Sequence, residues 1–172
     1  VVEPAVTCLI GSGFGAAGQR CMAGSVIVTV GEAHDRVIPT LVAETEKLKV
    51  GPGLEEGTDA GPVISCEARD RIAGWVQRAI DDGAELVVDG RDPGGDLEGA
   101  FIGPTILDKV GRDDAIISEE VFGPVLTVIN VDKLEEAIEG VNASRFGNGV
   151  SIFTESASAV RKFRHDVEEI RA

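Results

Sequence analysis

Basic residues are scarce in this 172-residue sequence, in which 30 aspartates and glutamates outnumber 16 lysines and arginines. The formal net charge is −14, which leaves no basic stripe that could bind nucleic acid or dock on an anionic membrane. No apolar run approaches the roughly 18 residues that cross a bilayer. The composition therefore predicts neither a nucleic-acid partner nor a membrane partner.

Cysteine and histidine are also rare, with three and two copies. The cysteines form no C-x-x-C pair and the histidines are scattered, which argues against a disulfide framework and predicts no metal site. An odd cysteine count, without a basic leader segment, favours a reducing compartment, and we expect the cytoplasm. His34 and His165 are expected on the surface, with Asp35 and Asp166 as their local partners, rather than as the base of a cysteine hydrolase.

The remaining composition, 43% apolar and 27% charged residues, is typical of a globular chain long enough to bury a core. Hydrophobic periodicity predicts strands over 25–30, 85–89, 101–107, 125–131 and 149–154, and helices over 4–14, 33–49, 65–82, 132–142 and from 156 onward. Ser65 is expected to cap one helix, and the sequence from Asp132 to Glu135 has the form of a capping box. Because strands alternate with helices, we predict an α/β fold, a sheet flanked by helices, in a single domain spanning residues 1–172.

The stretch Gly13-Phe-Gly15-Ala-Ala-Gly18 matches the dinucleotide-binding pattern G-x-G-x-x-G. That pattern requires a crossover helix whose amino terminus meets a pyrophosphate. Only residues 19–24 separate Gly18 from the next predicted strand, and a crossover needs about ten residues or more. The match is therefore predicted not to bind a dinucleotide.

The same glycines suit a tight loop that presents the thiol of Cys21. A nucleophilic cysteine must be partly ionised, and the neighbouring Arg20 could favour the thiolate. The alternative is that Cys21 is a small buried apolar residue, which is usual for free cysteine. Cys8 and Cys66 have no comparable setting and are expected to be inert.

A second unusual stretch, Ser118-Glu-Glu-Val-Phe-Gly-Pro-Val125, places two carboxylates beside an aromatic ring, just before a predicted strand. A carboxylate can accept hydrogen bonds from both hydroxyls of a ribose, and a ring can back a flat heterocycle. The alternative is a solvated acidic pair next to a phenylalanine of the core.

Taken together, five segments resemble the aldehyde dehydrogenase superfamily in order and in spacing: Phe14-Gly-Ala-Ala-Gly-Gln-Arg-Cys-Met-Ala23, Gly61-Pro62, Phe101-Ile-Gly-Pro-Thr105, Glu119-Glu-Val-Phe-Gly-Pro-Val125 and Phe146-Gly-Asn-Gly149. The sequence around Cys21 is most similar to that of the CoA-acylating methylmalonate-semialdehyde dehydrogenases, and Asn148-Gly149 supports the same resemblance. The resemblance implies a catalytic-domain-like α/β fold and an NAD-dependent oxidoreductase.

The resemblance also implies a role for each matching residue. Cys21 corresponds to the nucleophile, which forms a thioester that CoA then takes after loss of carbon dioxide, and its backbone N–H to half of the oxyanion hole. Glu120 corresponds to the carboxylate that holds the nicotinamide ribose of NAD, and Phe122 to the ring beside it. Arg20 is expected to bind the carboxylate of a small-molecule semialdehyde.

The chain corresponds to about a third of a family member, and the NAD-binding domain lies outside it. The resemblance therefore implies an incomplete NAD site, an inactive isolated chain and a homo-oligomeric parent enzyme. Two alternatives remain open. One is an aldehyde dehydrogenase that releases a free acid to water, and the other is a non-catalytic binding module that uses surfaces normally buried between domains.

Overall fold

The structure is a computed structural model that describes residues 2–168, and in this range helices pack on both faces of a four-stranded sheet. The helices are α1 Val2–Phe14, α2 Ala33–Thr45, α3 Cys66–Asp81, α4 Leu134–Ala143 and α5 Ala157–Asp166. The strands are β1 Val26–Val30, β2 Glu85–Val88, β3 Thr105–Asp108 and β4 Val125–Val131. Short 3-10 segments span Gly15–Gly18 and Ala115–Ser118. This arrangement confirms the predicted α/β class.

The sheet has the strand order β1-β4-β3-β2, with β4 between the two parallel strands β1 and β3. Only β2, at the edge, runs antiparallel to its neighbour. Because β1, β4 and β3 run parallel, the loops that enter them lie together at the amino-terminal ends of these strands. Those loops contain, in that order, residues 19–25, 119–124 and 101–104.

Alternate residues of the central strands supply two separate cores. Ile106 and Leu126 join one face, which α1 and α2 cover. Leu107 and Val125 join the other face, which α3 covers. Each fully buried Leu, Ile or Val contributes about 1.5–3 kcal/mol by leaving water. Helices on both faces also explain why every residue of β3 and all but one residue of β4 are buried.

Several element boundaries follow the predicted capping residues. Ser65 Oγ accepts a hydrogen bond from the N–H of Ala68 at 3.2 Å, at the start of α3. Ser156 Oγ accepts one from the N–H of Ala159 at 3.2 Å, at the start of α5. Gly83, with φ at +112°, follows the end of α3, as expected of a glycine that ends a helix.

Three local predictions are wrong. The capping box at Asp132 does not form, because α4 begins one residue later and Glu136 accepts the Asp132 N–H instead. The segment 149–154 is not a strand: Val150 and Ile152 pack against the α4–α5 cluster, but the segment joins no ladder of the sheet. Strand β3 begins at Thr105 rather than at Phe101. In residues 101–104 and 149–154 the apolar pattern therefore reflects full or partial burial, but no neighbouring strand pairs with them.

His34 is not the isolated surface residue that the sequence predicted. It lies at the start of α2, and its Nε2 lies 2.9 Å from Oδ2 of Asp108, a buried carboxylate at the end of β3. This hydrogen bond to Asp108 is the main reason that the pKa of His34 is raised above its ordinary value of 6.5, and Asp35 contributes as well. His165 lies on the surface beside Asp166, as predicted.

Among the described residues, no helix is long and apolar enough to cross a membrane. The same residues form no group of three or more histidine, cysteine or acidic side chains that could hold a metal ion.

We predict that His34 makes the stability of the chain pH-dependent. Because its folded pKa lies above its unfolded value, the His34–Asp108 pair stabilises the fold fully below about pH 6.5 and loses that contribution as the pH rises through the folded pKa. The difference in unfolding free energy between the wild type and His34→Gln should therefore shrink as the pH rises from below about 6.5 into the alkaline range. Urea titration measures it, with the exposed His165→Gln as control. A difference that is constant across this range would contradict the prediction.

Candidate active site

The glycine-rich stretch closes a helix instead of opening one. Helix α1 ends at Phe14, and Ala16, Ala17 and Gly18 follow with φ values of 53°, 53° and 68°. For alanine this left-handed conformation costs roughly 1–2 kcal/mol per residue, so tertiary contacts must hold it. The structure confirms that this G-x-G-x-x-G match does not begin a crossover helix and hence is not a dinucleotide fingerprint.

Gly18 provides the closest of those contacts. A Cβ placed on Gly18 would lie 2.1 Å from the carbonyl oxygen of Gly123, and one on Gly123 would lie 2.5 Å from Ile72 Cδ1. A side chain at Gly18 would force the two loop backbones apart, whereas one at Gly123 would displace the Ile72 side chain of α3. Gly18 therefore allows the loop before β1 to lie directly on the loop before β4.

Gln19 ties the same loop to two other segments through its side-chain amide. Its Oε1 accepts a hydrogen bond from the N–H of Ile64 at 2.9 Å, and its Nε2 donates to the carbonyl of Phe122 at 3.3 Å. Gln19 was not singled out from the sequence as a site residue. The sequence feature that could have identified Gln19 is its position between the glycine turn and Cys21, because a side-chain amide can both donate and accept hydrogen bonds.

Cys21 lies on an exposed turn immediately after Gln19 and Arg20. The N–H of Ala23 donates to the carbonyl of Arg20 at 3.1 Å and so closes a four-residue turn with Cys21 and Met22 in its middle. The N–H of Gly24 donates to Ser12 Oγ at 2.9 Å and anchors the far side of the turn to α1. The alternative that Cys21 is a buried apolar residue is therefore wrong.

The guanidinium of Arg20 turns back toward α1. Its Nη2 donates to the carbonyls of Gly11 at 2.7 Å and Ser12 at 2.8 Å. The last carbonyls of a helix lack partners within the helix, and a cation near them is favourable. Arg20 therefore steadies the base of the Cys21 turn, and it does so with one of its two terminal nitrogens.

Glu120 and Phe122 are both exposed on the loop that enters β4, while Val121, Gly123 and Pro124 are buried. Phe122 has φ at 51° and is 38% exposed, so the alternative of a core phenylalanine is wrong. The Glu120 carboxylate has no hydrogen-bonding or ionic partner within residues 2–168. The structure therefore places a free carboxylate and an open ring next to the Cys21 loop.

A fourth segment reaches the turn from the opposite end of the chain. The side-chain amide of Asn148 donates to the carbonyl of Cys21, and a Cβ on Gly149 would lie 3.2 Å from Met22 Cε. The segment Gly61-Pro62 leads to Ile64, which binds Gln19, and the N–H of Thr105 donates to the carbonyl of Pro124 at 2.8 Å. The five sequence segments that resemble one family are thus linked through these contacts.

Residues 2–169 match the aldehyde dehydrogenase family over nearly the entire chain. The chain belongs to the aldehyde dehydrogenase family. It is 46% identical, over 170 residues, to the mitochondrial acylating methylmalonate-semialdehyde dehydrogenase of Arabidopsis thaliana. It is 43% identical, over 168 residues, to malonate-semialdehyde dehydrogenase 2 of Bacillus anthracis. These matches cover 97% of this chain, but only 28% and 34% of the relatives.

Solved structures agree with this membership. The crystal structure of methylmalonate-semialdehyde dehydrogenase from Oceanimonas doudoroffii matches 98% of this chain with a TM-score of 0.93 and 38% identity. A Sinorhizobium meliloti protein, assigned as a methylmalonate-semialdehyde dehydrogenase and crystallised with NAD, matches 96% of the chain with a TM-score of 0.91 and 43% identity. The chain covers 36% and 34% of those structures, so it spans about a third of its relatives.

We predict that Gly18→Ala destabilises this aldehyde dehydrogenase domain by about 3 kcal/mol or more, because it adds a backbone clash to an unfavourable φ. Gly74→Ala is the matched control, since Gly74 lies inside α3 with nothing within 4 Å of an added Cβ. That control should stabilise the fold by about 0.5–1 kcal/mol. Chemical denaturation measures both changes, and a cost below about 1 kcal/mol at Gly18 would contradict the close approach of the two loops.

Proposed function

We propose that this chain is the cysteine-bearing portion of an NAD-dependent, CoA-acylating dehydrogenase of malonate or methylmalonate semialdehyde. The observation that carries the proposal is the exposed thiol of Cys21 on a turn that Gly18 and Gln19 hold against the loop of Glu120 and Phe122. The names of the relatives in Arabidopsis thaliana and Oceanimonas doudoroffii support the substrate class.

Cys21 is the proposed nucleophile. Its thiolate attacks the carbonyl carbon of the aldehyde, a C–S bond forms, and the electron pair of the C=O bond moves onto oxygen. The backbone N–H of Cys21 is the proposed donor to that oxyanion. Bound NAD would supply the acceptor for the hydride that leaves this carbon, and a thioester then remains on Cys21. The carboxylate of the malonate-type acyl group then leaves as carbon dioxide, and the carbon that carried it takes up a proton from water. The thiol of CoA attacks the thioester carbon and gives up its proton as the C–S bond to Cys21 breaks, which frees the Cys21 sulfur again.

Glu120 and Phe122 are the proposed contacts to the nicotinamide end of NAD. The unpaired carboxylate can accept hydrogen bonds from two vicinal ribose hydroxyls, and the exposed ring can pack beside the nucleoside. Both residues lie on the loop that enters β4, next to buried Val121 and Pro124, so little conformational entropy is lost when NAD binds. The rest of the dinucleotide site and the remaining domain would come from other parts of the complete enzyme.

Arg20 is the proposed partner of the substrate carboxylate. Its Nη2 donates to the end of α1, and Nη1 and Nε remain as further donors of the planar group. A semialdehyde of the malonate type is an anion, and a guanidinium binds carboxylates with favourable geometry. We further propose a cytoplasmic, homo-oligomeric parent enzyme with no nucleic-acid or membrane partner.

The proposal predicts the behaviour of the complete enzyme that contains this segment. Aldehyde-dependent NADH formation with NAD and CoA should require Cys21, and Cys21→Ala should lower kcat by about a thousandfold or more, because no second thiol lies on the turn. Cys66→Ala is the matched control and should keep full activity.

Mass spectrometry of enzyme incubated without CoA should detect an acyl group on the Cys21 peptide. Full activity of Cys21→Ala, or an acyl group on Cys66, would contradict the proposal. Product analysis separates the two acceptors, since acyl-CoA supports the proposal and a free acid with CoA unconsumed supports the hydrolytic alternative.

Arg20→Leu should raise KM for malonate semialdehyde about ten- to a hundredfold while changing KM for propanal little, because only the first substrate carries a carboxylate. Arg71→Leu is the control, since Arg71 is exposed on α3 and makes no ion pair within the described residues. Equal effects on both aldehydes would mean that Arg20 acts only through its hydrogen bonds to α1.

A further inference from the structure

We propose that Asn148 is a positioning residue that fixes the peptide bond between Cys21 and Met22 and thereby the direction of the Cys21 thiol. The inference rests on the proposed function in one respect, namely that Cys21 is the nucleophile. Asn148 itself touches neither the thiol nor any group that reacts.

The contact joins two segments that lie 127 residues apart. The Nδ2 of Asn148 donates to the carbonyl oxygen of Cys21. Because a carbonyl can only accept, the chemistry of the partner requires the amide nitrogen, and not the amide oxygen, to face the turn. The neighbouring Gly149 lies against the Met22 side chain, since a Cβ on Gly149 would lie 3.2 Å from Met22 Cε.

The carbonyl of Cys21 is the one carbonyl of the turn whose direction the turn's own hydrogen bond leaves undetermined. The N–H of Ala23 donates to the carbonyl of Arg20, and that bond exists in both common turn types. Types I and II differ in the middle peptide, which here joins Cys21 to Met22. Rotation of that peptide changes ψ of Cys21 by about 150° and would also make φ of Met22 positive. Met22 does not have a positive φ in the structure, and its side chain disfavours one.

That ψ angle matters for the thiol, because the side-chain rotamers open to a residue depend on its φ and ψ. The other anchors of the turn lie on either side of the middle peptide: Gln19 and Arg20 before it, and Gly24 after it. Within the described residues, Asn148 is the one hydrogen-bond donor to the Cys21 carbonyl. It therefore adds to the preference of Met22 against the flipped peptide, and it narrows the range of directions open to Sγ.

The loop that carries Asn148 provides a control. Ser144 Oγ accepts a hydrogen bond from the N–H of Phe146 at 3.2 Å, which orders the same exposed loop without touching Cys21. If loop order alone mattered, Ser144→Ala would disturb the Cys21 turn as much as a change at Asn148. If the hydrogen bond from Asn148 to the Cys21 carbonyl matters, only the substitutions of Asn148 should disturb the Cys21 turn.

The experiment compares Asn148→Ala, Asn148→Asp and Ser144→Ala in the 172-residue chain. Asn148→Asp keeps the size of the side chain and replaces the donor by an acceptor, so it isolates the hydrogen bond. The readouts are the amide resonances of Cys21 and Met22 in 15N-labelled protein, and the iodoacetamide alkylation rate of Cys21 relative to Cys8 and Cys66.

We expect one sharp Met22 resonance in the wild type and in Ser144→Ala. In both Asn148 variants, exchange between turn types should broaden or split it, and the relative alkylation rate of Cys21 should change by about threefold or more. An unchanged Met22 resonance and Cys21 rate in both Asn148 variants, or equal changes in Ser144→Ala, would overturn the inference.

Failure of the proposed function gives a different result. If the complete enzyme oxidises no aldehyde while both Asn148 variants still alter the Met22 resonance and the Cys21 rate, the role of Asn148 in orienting the turn stands and the dehydrogenase assignment falls.

Discussion

The contact between the backbones of Gly18 and Gly123 is the constraint on which the candidate site depends. A single added methyl group at Gly18 would lie 2.1 Å from the carbonyl oxygen of Gly123, so the two loops meet only because Gly18 has no side chain. Ala16 and Ala17, which lead into Gly18, adopt left-handed conformations that are unfavourable for alanine, and Ala17 is buried in the core next to α3. The loop of the proposed nucleophile and the loop of the proposed ribose contacts are thereby held together.

Strand order supplies the larger framework for that contact. In open α/β sheets, ligands usually bind beyond the carboxyl ends of the strands. Here the loops of interest enter the parallel strands β1, β4 and β3, so the site forms at the amino ends. Hydrogen bonds to backbone groups then connect the loops, most clearly through Gln19 and Asn148. Side-chain amides suit this work because each can bind a carbonyl or an N–H without carrying charge.

Arg20 illustrates how one residue can serve two requirements. Its hydrogen bonds to Gly11 and Ser12 satisfy carbonyls at the end of α1 and give the turn a firm base. The remaining donors of the guanidinium suit the anionic substrate that we propose. Phe122 also has two roles, because its carbonyl accepts a hydrogen bond from Gln19 while its ring stays exposed to solvent.

The sequence by itself determined the α/β class, most helices and strands, and the segments that form the site. Apolar periodicity, the caps at Ser65 and Ser156 and the pattern of glycines are local properties, and local chemistry suffices to read them. Only the tertiary structure decided that 149–154 joins no ladder of the sheet, that His34 pairs with buried Asp108, and that Asn148 reaches Cys21. Each of these depends on which distant backbone lies alongside, because a strand needs a neighbour and a hydrogen bond needs a partner within about 3 Å.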